Sequence, residues 1–199
     1  MTRTDRDDDA TRTDTPTLSR RDALAALAVA GVAGGGAYAL STATDDGSTD
    51  DPAPSSGPLD DSDLETMIAA AEVLYPSEID GIEEFVTEFV RGRAADRSTH
   101  AEGIADTVAY LDEWTASWLD TPRFAALDPS DRETALDRMG VREAHPAPDG
   151  TDAERVRYYV VNELLFALYS SPTGGELVGI ENPQGHPGGT DSYQRGPEP

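Results

Sequence analysis

The sequence predicts an all-α protein: one helical domain of about five helices with an irregular C-terminal arm, preceded by an apolar helix and a disordered linker. Three observations carry this reading. Apolar residues recur at three- and four-residue spacing in five successive segments. Helix start and stop signals bracket those segments. No stretch alternates with a two-residue period long enough to suggest a sheet.

The first stripe is Leu64, Met67, Ile68, Ala71 and Leu74. The acids Asp61 to Asp63 suit the positive end of its dipole, and Pro76 stops it. Ile82, Phe85, Val86, Phe89 and Val90 form a second helix, expected to end near Gly92. Ile104, Val108, Leu111 and Trp118 form a third, starting near Ser98 or Thr99. Phe124 and Leu127 lead into a short fourth, where Asp128 caps, Pro129 takes the first helical position and Gly140 ends the run. Thr151 and Glu154 read as a capping box opening a fifth helix with Val156, Tyr159, Val160, Leu164, Ala167 and Leu168. From about residue 170 the chain turns rich in Pro and Gly, and an irregular arm is expected.

Composition divides the 199 residues into three zones: 1–40, 41–59 and 60–199. In the first, Arg20 and Arg21 follow a polar lead and precede a nearly uncharged run from Ala23 to Leu40, the pattern of a twin-arginine export signal. That route carries folded proteins. The run is eighteen residues long and interrupted by Gly34-Gly35-Gly36, against the roughly 20 apolar residues a spanning helix needs. Ala37-Tyr38-Ala39 offers a small-x-small cleavage pattern, and both cleavage and retention as an N-terminal anchor stand as readings. Residues 41–59 are mostly Ser, Thr, Asp, Pro and Gly and read as a flexible linker with nothing to bury. Residues 60–199 suffice for one core.

The chain holds 39 acidic residues against 15 basic ones, all arginine, for a formal charge of −24. Of these, 29 acids and 10 arginines lie in residues 60–199, so the acidity belongs to the domain itself. Strong acidity without lysine is the surface of a protein working in concentrated salt, as in halophilic archaea, because about 1 M salt shortens the Debye length to roughly 3 Å and screens the repulsion. The same charge argues against a nucleic-acid partner, which needs a basic patch. With no cysteine there is no disulfide, thiolate metal site, iron–sulfur cluster or covalently attached c-type haem on this chain.

The residues point to no catalytic centre. His100, His145 and His186 lie far apart and outside metal-ligand spacing. Glu83-Glu84 and Asp112-Glu113 are the pairs a solvated acidic face carries. Ser170-Ser171 lacks the strand–turn–helix setting of a hydrolase nucleophile, and the glycine runs near 174 and 185–189 follow no strand and make no dinucleotide fingerprint. Catalytic, cofactor-binding and metal residues are therefore expected to be absent. Trp114 and Trp118, four apart on one helix, are core residues or a patch that faces a partner. In the arm, Tyr169, Pro172, Gly174, Gly175, Gly179, His186 and Tyr193 are the candidates for lying extended on another protein.

Taken in order, these features resemble the gluconate 2-dehydrogenase subunit 3 family, the small subunit of membrane-associated, flavin-dependent sugar and sugar-acid dehydrogenases. The resemblance covers about residues 17–190. It rests on Arg20 and Arg21, the helix ending in Leu74-Tyr75-Pro76, the Phe124-x-x-Leu127 segment, and Tyr169-Ser170-Ser171-Pro172-Thr173-Gly174-Gly175 followed by Gly179. Ala23 departs from the bulky apolar residue such signals often carry, and the lysine-free acidity departs as well. The resemblance implies a non-catalytic small subunit. A large partner subunit would hold FAD and oxidise the substrate, and a cytochrome would pass electrons onward. The small subunit would bring the folded partner to the twin-arginine translocase and so to the extracytoplasmic face of the membrane. Two other classes stand beside this one: a membrane-anchored extracytoplasmic interaction domain with no dehydrogenase partner, and an independent exported enzyme acting through acidic residues.

Overall fold

The computed structural model describes residues 15–31 and 59–179. The start of the leader, the Ala37-Tyr38-Ala39 pattern, the linker up to Pro58, and His186 and Tyr193 of the arm lie outside the described residues. The described chain is helical, with no named strand; one isolated parallel bridge joins Thr17 and Asp80. The all-α reading holds.

Helix α1 spans Arg20–Val29, α2 Asp61–Leu74, α3 Ile82–Asp96 and α4 Ser98–Leu119. A 3₁₀ turn at Phe124–Ala126 leads into α5, Pro129–Arg138. Helix α6, Asp152–Val156, passes through a π turn at Arg157–Val161 into α7, Asn162–Ser170, and α8 follows at Pro172–Leu177. The capping signals act only in part as the sequence suggests: Asp128 takes the N-cap position of α5, but its side chain makes no capping hydrogen bond, and α2 is capped by Asp60, one residue ahead of the acids at 61–63. Asp60 accepts from the Ser62 and Asp63 amides at 2.8 and 3.0 Å, while the Asp63 carboxylate accepts from the Asp60 amide at 2.9 Å. Tyr75, held extended ahead of Pro76, ends α2. The Glu154 carboxylate accepts from the Thr151 amide at 2.8 Å, completing the expected box of α6.

Helix α2 is the centre of the packing, lying against α3, α4, α5, α7 and the π turn. Its Met67, Ala70 and Ala71 are fully buried, together with Phe85, Phe89, Ile104, Leu111, Phe124, Leu164 and Leu168 from the elements around it. The Phe85 and Phe89 rings lie 6.4 Å apart, and Tyr75 closes the layer by donating from its hydroxyl to the Leu164 carbonyl at 2.8 Å. Burial pushes the Tyr75 hydroxyl well above its ordinary pKa, so it acts as a neutral donor.

Three local outcomes differ from the sequence reading. Helix α3 does not stop near Gly92 but continues to Asp96. The glycine is a contact point: a Cβ there would lie 2.5 Å from Leu27 Cδ1 of α1. The fifth helix is broken by the π turn into two. The arm is not irregular from residue 170, because Ser171 caps a further short helix, its hydroxyl accepting from the Gly174 amide at 3.0 Å. Pro172 sits in the first turn, where a missing N–H costs nothing.

Helix α1 belongs to the same core. It packs on α3 and α7 and touches α8. Leu18, Ala23, Ala26 and Leu27 are buried. Burying each leucine contributes roughly 1.5–3 kcal/mol, and the alanines let the helix come close. Ahead of it, the Leu18 amide donates to the Asp80 carbonyl at 2.8 Å and the Asp80 amide to the Pro16 carbonyl at 3.1 Å. Gly81, at φ +80°, leaves room for this strand-like pairing, since a Cβ there would stand 2.1 Å from the Leu18 carbonyl oxygen. The zoning by composition separated residues 1–40 from 60–199; within the described residues, α1 shares one core with the helices of the second zone.

Candidate functional site

The least expected chemistry of the fold is a buried ionic cluster where α3, α4 and α7 meet. Glu163 interrupts the apolar stripe of the fifth helical segment and points into the core, with its side chain only 5% exposed. One carboxylate oxygen pairs with Arg93 Nε of α3; the other lies 3.0 Å from His100 Nε2 of α4. A carboxylate paired with arginine can only accept, so the ring proton of His100 sits on Nε2. The Arg93 guanidinium also lies 5.4 Å from the centroid of Phe166 and 6.0 Å from that of Phe89. Within the cluster the buried carboxylate is paired with the guanidinium and the imidazole, and such pairing is the condition under which buried charge is tolerated.

The π turn fits around the same place. The Asn162 amide donates to the Arg157 carbonyl, five residues back, and the widened turn brings consecutive tyrosines to His100. The Tyr158 and Tyr159 rings lie 6.1 and 5.3 Å from the imidazole. Tyr159 presses on Gly103, where a Cβ would be 2.3 Å from its ring. An open recess lined by Asp96, Arg97, Ser98, Thr99, His100 and Tyr159 adjoins the cluster. Among the described residues no group of three or more His, Asp or Glu is placed to hold a metal ion. The evident task of the cluster is to fix α3, α4 and α7 against one another. The sequence reading passed over Glu163 and Arg93; the available signal was a lone acid at a core position of a helix whose neighbours in the stripe are Val156, Tyr159, Val160 and Ala167.

A second acid group lies under the 3₁₀ turn. Asp112 Oδ1 accepts from the Phe124 amide at 2.9 Å and locates the turn on α4. Burial raises its pKa, against the hydrogen bond from Phe124 and the charge of Arg123. Burial likewise raises Asp63, helped by the charges of Asp60 and Asp112. Asp112-Glu113 is therefore split: Asp112 is a half-buried brace and Glu113 is exposed. Glu84 of the other acidic pair holds Arg20 across the surface at 2.7 Å.

The residues singled out for partner contact fall in three places. Trp114 and Trp118 stack near the C-terminal end of α4, with ring centroids 6.3 Å apart; Trp114 is half-buried against the core and Trp118 is 71% exposed. Tyr169 stands 46% exposed on α7, three residues after the exposed Phe166. Pro172, Gly174 and Gly175 form the junction into α8, and both glycines are buried. A Cβ on Gly174 would meet the Leu168 carbonyl oxygen at 2.0 Å, so this glycine serves the α7–α8 turn. Gly179 follows α8 with φ +75°, after the exposed Leu177 and Val178. Arg20 and Arg21 are both exposed on α1.

Among known proteins, the family model of gluconate 2-dehydrogenase subunit 3 matches residues 61–188. No curated protein and no solved structure matches the chain. The family match covers more than half of the sequence, and the chain belongs to this family of dehydrogenase accessory subunits.

Proposed function

We propose that this member of the gluconate 2-dehydrogenase subunit 3 family is the non-catalytic small subunit of a flavin-dependent, gluconate- or sugar-type dehydrogenase. It binds and stabilises the large subunit and takes it, folded, through the twin-arginine translocase to the extracytoplasmic face of the membrane. The observation that carries the reading is the family match over residues 61–188. Two features support it. The exposed apolar side chains Trp118, Phe166, Tyr169, Leu177 and Val178 stand on an otherwise acidic surface, where aromatic anchors are the side chains that most often dominate an interface. The twin arginines lie on the outer side of α1.

This reading assigns FAD to the large subunit. A cytochrome or other electron-transfer subunit completes the proposed assembly. By binding only the folded large subunit, the small subunit shifts that subunit's folding equilibrium by mass action.

The test is purification of the tagged chain from high-salt membranes. The expected result is a co-purifying large chain with flavin absorbance and dehydrogenase turnover, and neither property in the tagged chain alone. Turnover by the isolated chain would overturn the reading. Replacing Arg20→Lys together with Arg21→Lys should hold both chains in the cytosol; continued export of the large subunit would refute the escort role.

A further inference from the structure

The helix that carries the twin arginines is built into the folded domain at both ends and along one face, which is not how a removable leader would be held. At its start, the Thr17–Asp80 bridge and two backbone hydrogen bonds tie residues 16–18 to the segment before α3. In its first turn, the Asp22 carboxylate caps the helix through Ser19 and also accepts from the Thr173 amide of α8 at 3.0 Å. Along its length, Ala23, Ala26 and Leu27 are buried, Leu27 against Gly92. At its end, Arg97 Nη2 donates to the Ala30 carbonyl at 3.2 Å. Arg20 and Arg21 are on the side left exposed.

We propose that residues 16–31 are a permanent strut of the mature subunit, retained after export and docked on α3, α7 and α8 while displaying the arginine pair. Removing it would uncover the face of α3 at Gly92 that Leu27 covers and would leave the Thr173 amide without its acceptor. Docking also withdraws Ala23–Val29 from a bilayer. The apolar run left beyond Gly31 is then nine residues, Val32 to Leu40, far short of the roughly 20 a spanning helix requires. The attachment of the strut is thus to its own domain. The inference does not depend on which partner the subunit binds.

Two measurements on the full-length chain decide it. In native-state hydrogen exchange, the amides of Ala23–Val29 should be protected to within about tenfold of those in the middle of α3, as expected of one cooperative unit. Exchange there at free-peptide rates, with α3 and α7 protected, would overturn the proposal. The second is intact-mass and peptide analysis of the subunit after export. It should find the Asp22–Gly31 peptide still present; a mature chain beginning at or after Leu40, with α3 exchange unchanged, would refute it. Neither readout needs the dehydrogenase partner, so either can fail while the proposed function stands.

Discussion

The carboxylate of Asp22 accepts a hydrogen bond from the amide of Thr173, 151 residues further along the chain, at 3.0 Å. The same carboxylate accepts from the Ser19 amide and hydroxyl at 3.1 and 2.6 Å, so one side chain both starts α1 and joins it to α8. Replacing it by alanine removes half of a capping box and leaves the Thr173 amide unpaired. Asp22→Ala should cost about 1–3 kcal/mol in urea unfolding, and Asp22→Asn, which keeps an acceptor, less.

The same residue predicts a pH dependence. Burial works to raise its pKa, but the hydrogen bonds from Ser19 and Thr173 outweigh burial and hold it below the ordinary 3.8. A carboxyl with a depressed folded pKa stabilises fully above its unfolded value, and that contribution is lost as pH falls through the folded one. Asp63 and Asp112, raised by burial, act in the opposite sense and recover stability on protonation. The difference between wild type and Asp22→Asn isolates the first effect. Their unfolding midpoints should converge as pH drops from about 5 to 2.

Glu163 is an expensive side chain to remove. Truncation leaves Arg93, itself only 12% exposed, with a buried charge that has lost its carboxylate partner. Glu163→Ala should cost about 3–5 kcal/mol, while Arg93→Met combined with Glu163→Leu should recover much of that loss, because an apolar pair of similar volume needs no desolvation. Thermal unfolding of Arg93→Met, of Glu163→Leu and of the double variant gives the coupling directly.

The contrast between these sites and the helices around them shows what the sequence makes legible. The acids at 61–63 that open α2, the start of α6 at Thr151 and the end of α5 before Gly140 are local: each signal lies within four residues of the feature it makes, and each was readable. Glu163, Arg93 and His100 are 63 to 70 residues apart in sequence at their widest and carry no local mark beyond an acid in an apolar stripe. The Gly92 signal was ambiguous, because a glycine that ends a helix and one that admits a neighbouring side chain look alike until the neighbour is known. The docking of α1 was hidden for a related reason. A run of Ala, Leu and Val reads the same whether it enters a membrane or a core, and only Asp22, the acid just ahead of that run, distinguishes them. The partner face was the least legible part. Trp118 proves solvent-facing while Trp114, one turn before, packs inward, and periodicity alone assigns both to the same stripe.

Gly103 offers a packing test with a sharp geometric cause. An added methyl would sit 2.3 Å from the Tyr159 ring, which the π turn holds in place beside His100. Although alanine is the better helix former by about 1 kcal/mol, overpacking of this kind costs typically 1–3 kcal/mol. Gly103→Ala should therefore lower the urea midpoint. Tyr159→Leu in the same chain should relieve the clash, so the two substitutions together cost less than their sum.

The charge of −24 predicts a dependence on salt that an ordinary domain lacks. Repulsion among 29 acids in residues 60–199 is unscreened in dilute buffer and largely screened near 1 M. The unfolding temperature should rise steeply between about 0.1 and 2 M sodium chloride, where screening is the dominant change. An unfolding temperature insensitive to salt would show that the acids are already balanced by their local arginine partners, such as Glu65 with Arg123 and Glu133 with Arg142.

Trp118 separates folding from partner binding. Its ring stacks on Trp114 yet stays 71% exposed, so its removal empties no core position. Surface substitutions of this type usually change stability by within about 0.5 kcal/mol. A tryptophan that anchors an interface behaves differently, with truncation costing about 2 kcal/mol or more, or thirtyfold in affinity. Trp118→Ala should leave the unfolding temperature of the isolated subunit unchanged while weakening capture of the large dehydrogenase subunit by at least tenfold. Tyr169→Ala makes the matching test on α7, where the exposed ring stands 149 residues from the N-terminal edge of α1 in sequence but on a helix that α1 packs against. If Trp118→Ala binds as wild type and Tyr169→Ala does not, the partner sits over α7 and α8, on the side where the strut lies, and the tryptophan pair at the end of α4 has no part in the grip.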